Sequence, residues 1–316
     1  MPRKSGPVRY HEHVVAIIEE MGVEDPREAV RQKARILLGN LLTLFPNEAP
    51  FNMQEIASCI GLHASDEEPR FSEDSEIAPD SDGNVILRIK KIRPITRQRF
   101  SIAHEIGHTL FPDYQLAVRC RKAHDKRWND DDFLETLCDV AASEFMFPMP
   151  WFENSIASLQ MTGEGIASLA DQYQASREAT VRRLVELTPE PMAAVFFSWK
   201  LKPEEHKQLR RNANQQFLFE SLRPDEPTKK LRVDYPILNE SFRSQVLDHI
   251  PVHKSIPNEG PIYQSAATMY PCDGTAIVSF GRIKNEYRII ALPIYTDEAD
   301  FGPKNARSVV AILRPV

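Results

Sequence analysis

Two histidines four residues apart, with a glutamate directly after the first, are the residues of this chain whose spacing could do chemistry: His104, Glu105 and His108, in R-Q-R-F-S-I-A-H-E-I-G-H over residues 97–108. On a helix, positions i and i+4 lie one above the other, so the two imidazoles converge on one point. A divalent cation fits there. Zinc is the first choice because imidazole suits it, and a catalytic zinc takes three protein ligands and leaves its fourth position to water. Glu105 can reach that water as general base. The residues around the motif are apolar or small (Phe100, Ile102, Ala103, Ile106, Gly107, Leu110, Phe111), so the helix is expected to be buried. Two histidines and a glutamate inside it are costly unless something satisfies them, and a metal would.

The helix cannot supply a third ligand alone. Residues 135–148 read E-T-L-C-D-V-A-A-S-E-F-M-F-P, a second apolar helix pattern with Glu135 and, one turn on, Asp139. Glu135 is assigned as the third ligand. Asp139 is assigned as the carboxylate that accepts the N–H of a ligating histidine and fixes its tautomer. Glu144 stays open as an alternative ligand.

The combination R-F-S-I-A-H-E-I-G-H-T-L-F and E-T-L-C-D-V-A-A-S-E-F-M-F-P resembles the ImmA/IrrE family of bacterial and phage metallopeptidases, and the similarity extends over roughly residues 50–187. The resemblance maps His104, His108 and Glu135 onto the ligands of one zinc ion and Glu105 onto the catalytic glutamate, in a gluzincin-like arrangement. Asp139 stands where that family more often has asparagine. The resemblance also implies a partner, a helix-turn-helix repressor cleaved in response to DNA damage or stress, so that defence or mobile-element genes, phage defence among them, are derepressed.

Around the two metal helices the chain is expected to place packing helices at residues 10–21 and 26–44, and another at 51–62 stopped by Gly61. Residues 63–82 read as an acidic solvated loop, and 84–91 as a strand, either purely structural or, as the resemblance invites, able to pair with an extended substrate. From residue 88 to 127 there are 11 Lys or Arg against three acidic residues, beside a whole-chain charge of −6. This basic stretch either receives an acidic partner or offsets the acidic loop before it, and the second reading is preferred. Cys120, in V-R-C-R-K between the metal helices, is a candidate inhibitory fourth ligand, since neighbouring cations favour the thiolate. Tyr114 and His124 in the same connection are candidate oxyanion donors. Residues 166–173 and 176–187 form a helical pair with Ser176 as N-cap, read as part of the peptidase domain rather than as a DNA-binding helix-turn-helix.

With 316 residues, 42% hydrophobic and 27% charged, the chain has the composition of an ordinary globular protein with room for about two domains. No apolar run is long enough to cross a bilayer and the N-terminus lacks a signal-peptide pattern, so a cytoplasmic protein without membrane contact is expected. The four cysteines (59, 120, 138, 272) contain no C-x-x-C pair and suggest no disulfide framework. The expected fold class is α+β: a mostly helical zinc-peptidase domain with a small sheet at 1–199, and a C-terminal α/β domain at 200–316. Strands are expected at 193–199, 275–280, 287–295 and 308–313, with helices at 204–222 and 241–249. Some members of the resembled family carry a GAF-like domain in this position, which implies a sensor responding to single-stranded DNA or a small molecule. The reading is therefore a zinc endopeptidase gated by that domain. Its alternative is a non-hydrolytic zinc-containing regulator that binds DNA or a protein partner.

Overall fold

Helical apolar spacing in the N-terminal third produces α1 (Glu12–Met21), α2 (Pro26–Leu41) and α3 (Met53–Cys59), with Val14, Ile17, Ala29, Val30, Ala34 and Leu38 among the buried positions. Asn52 caps α3 by accepting from the backbone N–H groups of Gln54 and Glu55 at 3.1 and 3.3 Å. Gly61, at φ +87°, turns the chain out of it. Next come β1 (Leu62–Ala64), β2 (Ser75–Pro79), β3 (Val85–Ile89), α4 (Ile95–His108), β4 (Arg119–Cys120), α5 (Asp130–Met146), α6 (Trp151–Ala157), α7 (Gly163–Gln172) and α8 (Arg177–Leu187). The remainder holds β5 (Ala193–Lys200), α9 (Pro203–Ala213), β6 (Lys230–Leu238), α10 (Glu240–Gln245), α11 (Gly260–Thr268), β7 (Cys272–Phe280), β8 (Ile283–Ile294) and β9 (Ser308–Pro315). This computed structural model describes residues 12–44, 48–70, 74–112, 119–120, 130–213, 227–280, 283–294 and 308–316. The chain divides into two compact units, Met1–Ser158 with Leu169–Ser176, and Leu159–Ser168 with Arg177–Val316.

In the first unit a small sheet of order β1-β3-β2-β4 lies beside the helices, and α4 packs against α3, α5, β2 and β3. Strand β3 is interior. It pairs in parallel with β1 through residues 85–87 and antiparallel with β2 along its length, so the edge that a substrate strand would need is already taken there. The acidic stretch is not the solvated loop its composition suggested, because it contains β2. Part of its charge is paired with basic residues inside it and after it. Glu76, fully buried, accepts from Arg70 at 2.7 Å and from Arg88 at 3.4 Å. Asp74 accepts from Arg93 and Arg97, each at 2.8 Å, and Lys91 reaches Asp66 at 2.6 Å. Burial alone would raise the Asp74 carboxyl, but these hydrogen bonds and the charges of Arg97 and Arg93 outweigh it and hold the group below the usual range. Four of the basic residues between 88 and 97 are thus used within the unit, which favours the offsetting role of the patch over an acidic partner.

The second unit is built on one antiparallel sheet of order β6-β5-β9-β8-β7. Strand β5, A-A-V-F-F-S-W-K, reads as a continuous apolar run because both of its faces are covered. Ala193, Val195 and Phe197 join Phe242, Ile262 and Ala266 in one core, whereas Phe196 faces α8, where the Arg182 guanidinium lies 5.5 Å from its ring centroid. The boundary expected at 199/200 falls between β5 and both of its neighbours, since β5 pairs with β6 through residue 200 and with β9 through residue 198. The expected α/β domain is antiparallel throughout its sheet, and the coarser description, mixed α+β, holds for the chain. Two elements of the second unit go beyond the sequence reading. Strand β6 contains Pro236, tolerable because it is an edge strand. Helix α11 starts at a glycine–proline pair, with Pro261 at its N-terminus. Among the described residues no helix is long and apolar enough to cross a membrane.

Candidate metal centre

The site lies where α4 meets α5. Gly107 lets the two helices approach: a Cβ there would stand 3.0 Å from the Cys138 carbonyl oxygen and 3.2 Å from the Ala141 Cβ. This close packing buries one face of α4, leaving His104 and His108 at 1% exposure and Glu105 at 0%. The spacing argument holds: the two imidazoles are neighbours, with ring centroids 5.0 Å apart.

Opposite them, α5 presents three residues on successive positions of one face. Glu135 puts Oε2 3.0 Å from His104 Nε2 and Oε1 3.6 Å from His108 Nε2. Asp139 Oδ1 lies 2.9 Å from His104 Nδ1. The third contact has no counterpart in the sequence reading: Cys138 Sγ lies 3.3 Å from His108 Nδ1. Each imidazole therefore turns Nε2 toward the Glu135 carboxylate and Nδ1 toward a separate partner on α5. This is the pattern of ligating histidines, whose second ring nitrogen is held by an outer hydrogen bond. His104, His108 and Cys138 also form a buried group whose potential ligand atoms lie within 4.8 Å of one another.

Both nitrogens of His104 face carboxylates, which only accept, so the ring donates from both and is an imidazolium. Burial pulls its pKa down, but the hydrogen bonds to Asp139 and Glu135 and the charges of Asp139 and Glu105 prevail and raise it from 6.5 to about 9. A proton is thus held between His104 and Glu135, where a cation would be shared. Two imidazoles and a carboxylate make a donor set that fits zinc or a similar divalent ion.

Glu144, the alternative third ligand, is turned elsewhere. It is fully buried against α2, accepting from Arg35 at 3.0 and 3.2 Å with Arg31 3.7 Å away. Glu105 accepts a short hydrogen bond, 2.6 Å, from the hydroxyl of Ser75 on β2, and both groups have 0% exposure. Sequence reasoning missed Ser75 because it lies in the stretch read as loop, 30 residues before its partner. Cys138 was missed because one thiol within an apolar helix pattern reads as core. The backbone of Cys120 pairs with Glu76 in β4, while its side chain lies outside the described residues, as do Tyr114 and His124.

Residues 65–185 match the family model described as the IrrE N-terminal-like domain, a metallopeptidase family. This stretch contains all the residues of the centre. The chain is similar to two proteins named radiation response metalloprotease IrrE. One, from Deinococcus radiodurans, is 36% identical over 114 residues, covering 36% of this chain and 34% of that protein. The other, from Deinococcus deserti, is 33% identical over 118 residues, covering 36% of this chain and 41% of that protein. The chain thus matches well under half the length of either relative. A solved structure titled Mycobacterium tuberculosis transcriptional regulator shares the fold, with a TM-score of 0.54 at 10% identity, over 96% of this chain and 80% of that one.

Proposed function

We propose that the protein is a zinc-dependent endopeptidase acting on a protein substrate, with His104, His108 and Glu135 as metal ligands and Glu105 as the catalytic residue. The observation that carries this reading is the convergence of His104 Nε2 and His108 Nε2 on one carboxylate, Glu135, with the buried Glu105 on the same turn of helix. The bound ion would supply Lewis acidity, polarising the peptide carbonyl and acidifying water. Glu105 accepts a proton from the attacking water as the new C–O bond forms, and then returns it to the leaving amine as the peptide C–N bond breaks. Asp139 and Cys138 hold the Nδ1 atoms of His104 and His108, which keeps both Nε2 atoms aimed at the ion.

The two named relatives carry a radiation response in their titles. This supports a substrate of regulatory type, and we assign a helix-turn-helix repressor cleaved under stress or DNA damage. An antiparallel five-stranded sheet with helices on its faces supports a GAF-like sensor in the second unit, responding to single-stranded DNA or a small molecule. The rival reading, a zinc-containing regulator that binds without hydrolysis, gives the buried Glu105 no task. Incubating the zinc-loaded chain with a repressor encoded beside its gene, with and without single-stranded DNA, separates the two. Cleavage by the wild type and none by Glu105→Gln is expected. An intact repressor under every condition, with zinc bound, favours the rival.

A further inference from the structure

We infer that Ser75 is a positioning residue for Glu105: its hydroxyl, donated from strand β2 to Glu105 Oε1 at 2.6 Å, fixes the plane in which the carboxylate meets the metal's exchangeable ligand. The inference rests on the proposed peptidase reading. A glutamate side chain has three rotatable bonds, and the last of them is broad, so a general base on a helix is not aimed by its backbone alone. Holding one carboxylate oxygen sets the direction of the other. A donor that is itself immobile does this best, and Ser75 is held on several sides. It pairs with Ile89 in the antiparallel register of β2 and β3. The carbonyl of the preceding residue, Asp74, accepts from Lys90 N at 2.9 Å. The carboxylate of Asp74 is clamped by Arg93, just before α4, and by Arg97, within its first two turns. The strand is therefore bolted to the same helix that carries Glu105, eight residues further on. Serine hydroxyl and glutamate carboxylate both have 0% exposure, so removing the hydroxyl takes a buried donor away from that carboxylate oxygen.

The test uses the cobalt-loaded full chain, whose visible spectrum reports metal coordination, titrated with acetohydroxamate as a probe that binds the ion and is bonded by the adjacent carboxylate. Ser75→Ala is expected to keep the cobalt spectrum of the wild type and to weaken acetohydroxamate about tenfold, the size of a lost hydrogen bond to a charged group. Ser75→Thr, which keeps the hydroxyl, is expected to stay within about threefold of the wild type. Adding Ser75→Ala to Glu105→Gln should weaken binding no further, because two groups acting through one contact are not additive. If Ser75→Ala does not fold, Ser75→Cys, similar in size with a weak donor, takes its place with the same expectation. Unchanged affinity in the variant, or losses that add to those of Glu105→Gln, overturns the role of Ser75 and leaves the peptidase reading standing. A wild-type chain that binds no cobalt or no acetohydroxamate overturns the peptidase reading, and this inference with it.

Discussion

The contact between α4 and α5 encloses two imidazoles and borders three acidic side chains, whereas the sheet of the second unit encloses Val195, Phe197, Phe242, Tyr287 and Val309 around a core of hydrocarbon and aromatic rings. Both interiors are close-packed, but they are stabilised differently. Hydrocarbon is driven inside in proportion to its area and needs no particular partner. A buried imidazole or carboxylate is tolerated only with partners in the right places, so every polar contact at the centre constrains its neighbours. With the metal bound, a substitution that keeps volume and hydrogen bonds should act on chemistry more than on stability in the first region, and one in the second region on stability without chemistry.

The largest separation is expected from Glu105→Gln. The amide keeps the volume and can still meet Ser75 but cannot take a proton, so cleavage should fall by about two to four orders of magnitude. Zinc content and melting temperature should stay at wild-type values. A variant that loses its metal instead would place Glu105 among the ligands and break the assignment of roles. At the other pole, Phe242→Ala, with its ring fully buried and its centroid 6.1 Å from that of Tyr287, should cost about 3–5 kcal/mol of stability in denaturant unfolding. Zinc stoichiometry should not change.

How much of this was legible in the sequence follows the same divide. The spacing of His104, Glu105 and His108 is a local rule of helix geometry, and Glu135 and Asp139, one turn apart on a second helix, lie 3.0 and 2.9 Å from His104. Cys138 and Ser75 depend on which elements become neighbours. Spacing along the chain says nothing about that, and in one case the charges of the surrounding stretch pointed the wrong way. Glu76 and Asp74 look solvated until Arg70, Arg88, Arg93 and Arg97 are seen around them. In the second unit the apolar run of β5 announced a strand but not its place between β6 and β9, since a boundary drawn along the chain ignores pairing made across it.

Removing the metal should expose a pH dependence that the apolar unit lacks. His104 in the folded metal-free chain titrates near 9, above its ordinary 6.5. Its protonated form is thus favoured by folding. This contribution is fully present below pH 6.5 and is lost as pH rises through about 9, a decline on the order of 3 kcal/mol. Unfolding of the chelator-treated protein across pH 6–9.5 should show the decline, and His104→Gln should flatten it. A metal-free wild type equally stable at both ends of that range would mean that the carboxylates around His104 do not hold its proton.

The smallest effect sharpens the comparison most, because it divides charge from geometry within a single contact. Asp139 touches His104 Nδ1 at 2.9 Å while keeping 53% of its side chain exposed, so solvent screens its charge and the hydrogen bond is the larger part of what it offers. Asp139→Asn retains an oxygen acceptor of the same reach and should weaken zinc by only a few-fold in competition with a chelator. Asp139→Ala removes the acceptor, leaves the ring free to turn, and should weaken zinc by about 10–100-fold. If the asparagine variant loses as much as the alanine one, the negative charge rather than the orientation of the imidazole is what Asp139 contributes. The centre would then depend on the summed charge of its carboxylates more than on where their oxygens point.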